Sequence, residues 1–484
     1  MGRIVLGTDR LSQPSHSDVL KSTPLLRELP DSLSIHRARD GSAVTYPDLT
    51  RRVASRLGAL TARLPERPCR VVVGMSDPVE TLSTLFAVWV AGHCAVLVNP
   101  DLAGEERRRV VAKVTPSLWA DDDGLHDTGV ARPDAPAWPD AALILMTSGT
   151  TGDPKGVVHS LETLETRLKL NLAEIGTEAL ARTLCPLPLF FGHGLIGNCL
   201  TPLYAGQDLY LLDAPGLPDF ATFGALIDRY RITFLSSVPS MWRMILRVSE
   251  RPKQAPTRVH VGSAPLTDEL WSEIEAWCGT RAVFNTYGMT ETANWISGGR
   301  RPETGADGYV GRPWGGHIRV VRDGVLHETG RGEVALASPS LMLGLWDAPV
   351  GAAMHDGHFL TGDNGELAAD QTLRLVGRSK NEINRGGIKV LAEEIDMLLE
   401  RHPDVVEACS FAIPDDIAGE LVAAAVKPAP GAAPEPQALI AWCRDRVRHE
   451  AVPSRIAVVD EIAKTDRGKL ARGLVQKEML RRWS

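Results

Sequence analysis

The 484-residue sequence contains no long apolar run, no excess of positive charge and no closely spaced cysteines. Its longest apolar stretch, Leu82 to Val98, is broken by Ser83, Thr84, Gly92 and His93. It falls short of the ~20 residues a membrane-spanning helix needs, and predicts a buried helix followed by a buried strand. The N-terminal MGRIVLGTDRLSQPSHSD lacks the apolar centre of a secretory leader, so neither export nor a membrane span is expected. With 53 basic against 60 acidic residues the formal charge is −7, which lacks the electrostatic footprint of a general nucleic-acid binder. Any anionic ligand must be held locally. The seven cysteines (Cys69, Cys94, Cys185, Cys199, Cys278, Cys409 and Cys443) form no C-x-x-C and are odd in number. They predict free thiols in a reducing, cytoplasmic setting. Lysine is scarce, being outnumbered several-fold by arginine, so the position of each lysine carries information.

What is present is ordinary globular material, 44% hydrophobic and 23% charged, at a length that suggests two to four domains. From about Ala43 to Pro256, β-rich runs (VVVGM, CAVLVN, ALILMTS, DLYLLD, ITFLSSV) alternate with helix-like segments, the pattern of parallel strands with crossover helices. From about Gly308 to Leu375, short strands separated by turns predict an antiparallel, barrel-like piece. After Arg378 a helix with Ile395, Leu398 and Leu399 on one face is followed by VVEACSFAI, ELVAAAVK, the bridge KPAPGAAPEP, a helix from about Gln437, the strand IAVVD and a last helix. The expected fold is therefore α/β. A large N-terminal domain (1–379) of parallel-sheet layers carries the barrel-like part, and a small mobile α+β domain (380–484) follows.

The densest chemical signal is AALILMTSGTTGDPKG (141–156), a hydrophobic strand opening into hydroxyls, glycines and one lysine. Backbone N–H groups, Ser/Thr hydroxyls and a lysine can together wrap phosphate oxygens. The Walker A spacing is not met, because Pro154 precedes Lys155 and Gly156 follows it. A second candidate, Gly192-His193-Gly194-Leu195-Ile196-Gly197 with Asp213 downstream, fits the dinucleotide fingerprint of an NAD(P)-binding Rossmann fold. Its context opposes that reading: CPLPLFF before it holds two prolines, and Pro202 should interrupt the helix after it. Asn285-Thr-Tyr-Gly-Met-Thr-Glu291 follows strand-like RAVF, at the kind of strand end where open α/β sheets bind ligands. Thr361-Gly-Asp363 looks like a turn whose carboxylate could accept two hydrogen bonds from a ribose diol. Lys464-Thr-Asp-Arg-Gly-Lys469 places two lysines around a glycine turn.

In this order, TSGTTGDPKG (147–156), VGSAPL (261–266), NTYGMTE (285–291), TGD (361–363), GRSKNEINRGGIKVLAEEID (377–396) and KTDRGK (464–469) resemble the adenylate-forming superfamily. That superfamily includes acyl- and aryl-CoA synthetases, peptide-synthetase adenylation domains and firefly luciferase. The resemblance implies activation of a carboxylate by ATP as an acyl-adenylate, with release of pyrophosphate. Thr147, Ser148, Gly149, Thr150, Thr151 and Lys155 would hold phosphates; Gly262, Ser263 and Ala264 would line the adenine pocket. Tyr287, flanked by Asn285 and Thr286, would stack on the base, Thr290 and Glu291 would face the phosphates and Mg²⁺, and Asp363 and Arg378 would grip the ribose. Lys469 would stabilise charge at the α-phosphate. Rotation about a hinge at Lys380 would then bring a Gly386-Gly387-Lys389 face into place for a thiol acceptor.

The segment around Phe191, His193 and Gly194 resembles the acyl pocket of benzoate-type ligases, with Gly288 and Met289 as further lining, and His193 would touch the carboxylate or gate the site. The implied substrate is a small, aromatic carboxylic acid and the implied acceptor coenzyme A. Relatives also pass the acyl group to a separate carrier protein or an amine, or activate another oxyanion such as nitrite. Ala463 and Ala392 stand where relatives often carry proline, a difference expected to affect loop stiffness only.

Overall fold

The computed structural model describes Thr23, Leu25 and residues 29–130, 138–147, 155–346, 353–378, 381–385, 388–415, 418–465 and 468–483. The chain forms two compact units: Met1–Ser263 with Glu273–Ile296 and Ser338–Ala352, and Ala264–Ser272 with Ser297–Ala337 and Ala353–Ser484.

The first unit is layered α/β. One sheet runs Gly344–Leu345, Lys155–His159, Leu143–Thr147, Cys94–Leu97, Arg70–Val73, Leu118–Asp121, Gly124–Asp127, with a parallel centre and antiparallel strands at its margins. The other places Val283–Gly288, Arg258–Gly262, Phe234–Ser237, Arg182–Cys185, Asp208–Leu211 and Ser34–Arg37 side by side in parallel, closed by antiparallel Ala43–Thr45. One core joins them, combining Val71, Leu97 and Leu145 of the first sheet with Ile35, Cys185 and Leu209 of the second. The helix Pro78–Val90 lies within this core and is buried nearly all round, as a helix in a middle layer must be. Its N-terminus is capped by Asp77, which accepts from the backbone N of Val79 at 2.7 Å. With Cys94–Leu97 after it, this is the helix and strand expected between Leu82 and Val98.

The second unit contains an antiparallel sheet in the order Val325–His327, His317–Arg322, Gly330–Ala337, His358–Leu367, Met354–His355, with Leu373–Arg378 also paired to His358–Leu367. The C-terminal α+β part follows. Its sheet contains Glu382–Arg385, Gly419–Pro428, Val405–Asp415 and Arg455–Val458. Side chains alternate across this sheet, as the strand period requires: Ala408, Val422, Ala424 and Val426 face one cluster, whereas Cys409, Phe411, Ala423 and Ala425 face the other. The helices Ala392–Glu400, Pro436–Arg444 and Arg472–Trp483 supply the matching apolar faces.

Two local expectations are corrected. Pro202 does not interrupt its helix: a π-helical segment, His193–Leu200, passes into an α-turn, Thr201–Tyr204, with the proline in its first turn, where the missing N–H costs nothing. Thr361-Gly-Asp363 lies inside the strand His358–Leu367 rather than in a turn. The local irregularity is absorbed by Gly362 at φ +72° and a register shift after Asn364.

Candidate active site

Thr147 and Lys155 are direct cross-strand partners at the ends of Leu143–Thr147 and Lys155–His159, which fixes both feet of the glycine- and hydroxyl-rich loop. Ser148, Gly149, Thr150 and Thr151 lie outside the described residues. Lys155 is exposed, and the next residue is pinned where the backbone N of Trp346 donates to Gly156 O at 2.8 Å.

The strand Val283–Gly288 delivers Asn285, Thr286 and Tyr287, all buried, to the loop Met289 and the short 3₁₀ turn Thr290–Thr292 that carries Glu291. Beside them, a Cβ on Gly262 would approach Thr286 Oγ1 to 2.5 Å, so glycine permits the close strand approach. Ser263 then takes a left-handed φ of +67°, and Ala264 begins the second unit. The 3₁₀ turn is held from several sides. His159 bonds through Nε2 to Thr290 O at 2.8 Å, the backbone N of Met342 donates to Glu291 O at 2.8 Å, and Ser340 Oγ donates to Thr292 O at 3.0 Å. Ser340 in turn accepts from buried Arg167, whose guanidinium also reaches Ser338 at 3.0 Å. Neither His159 nor Arg167 was singled out from the sequence. KGVVH reads as a continuously buried strand and Arg167 as one more residue of a helix, and their partners lie 131 and 173 residues away.

Burial, partly opposed by the bond to Thr290, pushes the His159 imidazole down to about 4. In the unfolded chain it titrates near ~6.5, so between those values the unfolded state binds a proton that the folded state refuses. Stability is therefore fully present above pH ~6.5 and falls as pH drops toward 4, by about 3 kcal/mol from this group. Chemical denaturation of wild type and His159→Asn across this window is expected to show a shallower acid-side loss in the variant; parallel curves would refute the assignment.

His193 opens the π-helical segment, the kind of irregularity often found at functional sites. Its Nδ1 is 2.8 Å from Ser263 Oγ and its Nε2 is 2.6 Å from Ser236 Oγ. Its ring meets Trp295 edge to face at 5.5 Å. Both nitrogens are thus engaged by hydroxyls, which can donate or accept and so fix the ring orientation in either tautomer. Phe191 packs edge-on against Phe190 at 4.5 Å. Gly194 abuts its own approach loop, where a Cβ would lie 2.2 Å from Pro188 O; Gly288 is similarly closed by Asn294 O at 2.3 Å. Ser236 escaped the sequence reading because ITFLSSV looks like an ordinary buried strand.

In the second unit Asp363 and Arg378 are register partners on adjacent strands, joined at 2.7 Å from Nε to Oδ1, with the aspartate side chain 5% exposed. Thr361 Oγ1 donates to Val334 O at 2.9 Å, and the Gly362 backbone N donates to Glu333 at 3.1 Å, locking the TGD segment. Lys469 is exposed and ends a tight loop in which Thr465 N donates to Lys469 O at 2.7 Å and Gly468 sits at φ +70°. Lys464 anchors that loop through Glu407 at 2.8 Å. Lys380, Gly386 and Gly387 lie outside the described residues, as does the side chain of Lys389.

The structure brings His193 and Ser263 together in the first unit, which also carries Lys155, Tyr287 and Glu291, and it brings Asp363 and Arg378 together in the second, which also carries Lys469. Among the described residues no three His, Cys, Asp or Glu side chains form a metal cluster. The donor set nevertheless fits Mg²⁺ arriving with ATP, since that ion commonly takes only one or two carboxylates besides phosphate oxygens, and Glu291 offers one. No helix among the described residues is long and apolar enough to cross a membrane.

Residues 117–346 match the family model of AMP-binding enzymes, and residues 394–469 that of the AMP-binding enzyme C-terminal domain. The chain is 33% identical over 371 residues to an oxalate–CoA ligase of Arabidopsis thaliana, covering 75% of this chain and 71% of that one. It is 33% identical over 424 residues to a sulfoacetate–CoA ligase of Cupriavidus necator, covering 83% and 79% respectively. Among solved structures, ATP-bound MatB from Rhodopseudomonas palustris superimposes with a TM-score of 0.84 at 23% identity, over 97% of this chain and 100% of that one.

Proposed function

The chain belongs to the AMP-binding enzyme family and is an adenylate-forming ligase of the acid–CoA type, and from that premise we propose how its residues divide the work on a small carboxylic acid. The observation that carries the assignment is the buried Asp363 carboxylate oriented by Arg378 at 2.7 Å, a ready acceptor for a ribose diol. The acid's carboxylate oxygen attacks the α-phosphorus of ATP, the bond to the bridging oxygen breaks, and pyrophosphate leaves. Lys155 and the loop it closes bind the outgoing phosphates. Tyr287 packs on the base, while Thr290 and Glu291, held by His159 and Ser340, face the phosphate chain. Mg²⁺ held at Glu291 would supply charge neutralisation to those phosphates. Lys469 stabilises the charge that develops on the α-phosphate oxygens. His193, fixed by two serines, forms the wall against which the acid's carboxylate sits.

In the second half-reaction the coenzyme A sulfur bonds to the acyl carbon, AMP departs, and the thiol proton passes to solvent. Residues 380–484 act as the moving part, turning at Lys380 so that Gly386, Gly387 and Lys389 take the place of Lys469.

A screen for pyrophosphate release across aryl, aliphatic and amino acids, with and without coenzyme A, tests this reading. Release is expected to require a carboxylic acid and ATP, and coenzyme A is expected to be consumed stoichiometrically. In parallel, ATP or AMP should raise the melting temperature and NAD or NADP should not. Failure to release pyrophosphate with any acid, or stabilisation by NAD alone, would remove the proposal.

A further inference from the structure

The helix Ala392–Glu400 buries one face in the core of its own C-terminal part, through Ile395, Leu398 and Leu399. Charged side chains of the same helix reach the barrel-like portion of the second unit. Glu394, in the first turn, pairs with Arg331 of the strand Gly330–Ala337 at 2.6 Å. Arg401, at the helix end, pairs with Asp307. The two helix positions are one heptad apart and differ by only about 20° around the axis, which points both charges to one side. Asp307 is itself fixed, since its Oδ1 accepts from the backbone N of Asp268 at 2.8 Å and its carbonyl accepts from Arg374. Glu393 makes a third contact: its Oε2 accepts from the backbone N of Arg378 at 3.4 Å and its Oε1 accepts from Asn381 Nδ2. These two donors lie on either side of Lys380. A Cβ on Gly377 would stand 3.0 Å from the same Oε2, so glycine leaves room for the carboxylate.

These contacts differ in kind from the apolar cores. The clusters of the C-terminal part are built from residues beyond Ile383, and among the described residues none of the barrel-like sheet belongs to them. Arg331 and Arg401 are each 55% exposed. An exposed ion pair is worth a factor of about 1.4–5 in an equilibrium constant, and salt weakens it. That is enough to bias two arrangements of similar stability and too little to lock one. The arrangement these pairs favour can be identified from Glu393. The carboxylate that receives the backbone N–H of Arg378, the proposed ribose residue, also lies 3.5 Å from Arg472, which follows Lys469 by three residues and is held by Asp396 at 2.7 Å. One carboxylate thus joins the ribose-gripping strand to the segment that presents Lys469.

We infer that Glu394–Arg331 and Arg401–Asp307 form an electrostatic clasp that favours the Lys469 arrangement and opens before residues 380–484 turn at Lys380. These four positioning residues set how turnover is divided between adenylation and thioester formation. The clasp rests on the two-arrangement reading above and adds to it the residues that set its balance.

The test measures, in one preparation of each protein, acid-dependent ATP–pyrophosphate exchange and thioester formation from supplied acyl-adenylate and coenzyme A, using the acid that gives the fastest pyrophosphate release in the screen above. Exchange divided by thioester formation is expected to fall about 2–5-fold in Glu394→Ala and in Arg401→Ala, and about 5–20-fold in the double variant. Reversing one pair, Arg331→Glu with Glu394→Arg, should return the ratio to within about 2-fold of wild type. Raising NaCl from about 0.02 M to about 0.5 M should lower the wild-type ratio and leave that of the double variant nearly flat. A ratio within one preparation is indifferent to loss of folded material, and a merely structural role would lower both rates together. Wild-type ratios in the single and double variants, a shift toward exchange, or a reversed pair that leaves the ratio low would overturn the clasp. Equal losses of both half-reactions in Lys469→Ala would instead remove the two-arrangement reading on which the clasp depends.

Discussion

Replacement of Lys469 by alanine should lower acid-dependent ATP–pyrophosphate exchange by about 10²–10³-fold, the usual loss when one preorganised charge-stabilising donor is removed. The expectation follows from where the lysine sits. Its loop has supports that do not involve the Lys469 side chain: the bridge between Lys464 and Leu470, the Gly468 turn and the Lys464–Glu407 ion pair at 2.8 Å. The side chain is exposed, so stability should change by no more than about 0.5 kcal/mol. Lost activity with an unchanged melting temperature would therefore report on chemistry rather than folding. The division of labour adds a second arm. Thioester formation from a supplied acyl-adenylate and coenzyme A should fall much less than exchange does, if that step is served, as proposed, by Gly386 and Gly387 in place of Lys469. Normal exchange in the variant would eliminate the assigned role, and equal losses in both half-reactions would eliminate the division between them.

Substitution of Asp363 by alanine is expected to raise the KM for ATP by about 100-fold. Two effects combine. The variant loses the acceptors proposed for the ribose hydroxyls, and it releases Arg378, whose Nε is held at 2.7 Å by the carboxylate. Removing one member of a fully buried pair costs ~3–5 kcal/mol, but Arg378 is 42% exposed. Water can solvate the freed guanidinium, and a loss of about 1–2 kcal/mol is the reasonable expectation. Asp363→Asn, which keeps one acceptor oxygen, should fall between wild type and the alanine variant in KM while differing less in stability. Initial rates at varied ATP, with thermal denaturation of the same preparations, would decide. An unchanged KM for ATP would move the ribose site elsewhere.

The contrast between these residues and those found only in the structure shows what a sequence can carry. The strands Leu143–Thr147 and Lys155–His159 that flank the first motif, the NTYGMTE strand end and the period-2 strands of the C-terminal part are local patterns, and each of these strands lies where its pattern placed it. Asp363 was legible as a residue type in a motif but not as a strand residue, because the bulge and the positive φ of Gly362 disguise the alternation. Pro202 was misjudged for a related reason: a proline is tolerated when a π-helical segment hands over to a fresh α-turn, and that handover leaves no local signature. His159, Arg167 and Ser236 were missed altogether. Their importance lies in partners 131, 173 and 43 residues distant, and nothing in the strands or helix that carry them marks the far end of the bond.

The π-helical segment His193–Leu200 also has a consequence for how the protein could change. Such a segment holds one residue more per turn-closing bond than an α-helix, so removing one residue from it could restore ordinary helical pairing without shortening the helix frame around it. Each residue in an α-helix advances by about 100°. A single-codon deletion would therefore swing His193 by roughly a quarter turn relative to Cys199 and Leu200, and would carry Gly197 and Asn198 to new bearings in the same stroke. Because His193 bonds both Ser236 and Ser263, a length change in this one helix would reset the contacts of two other segments at once.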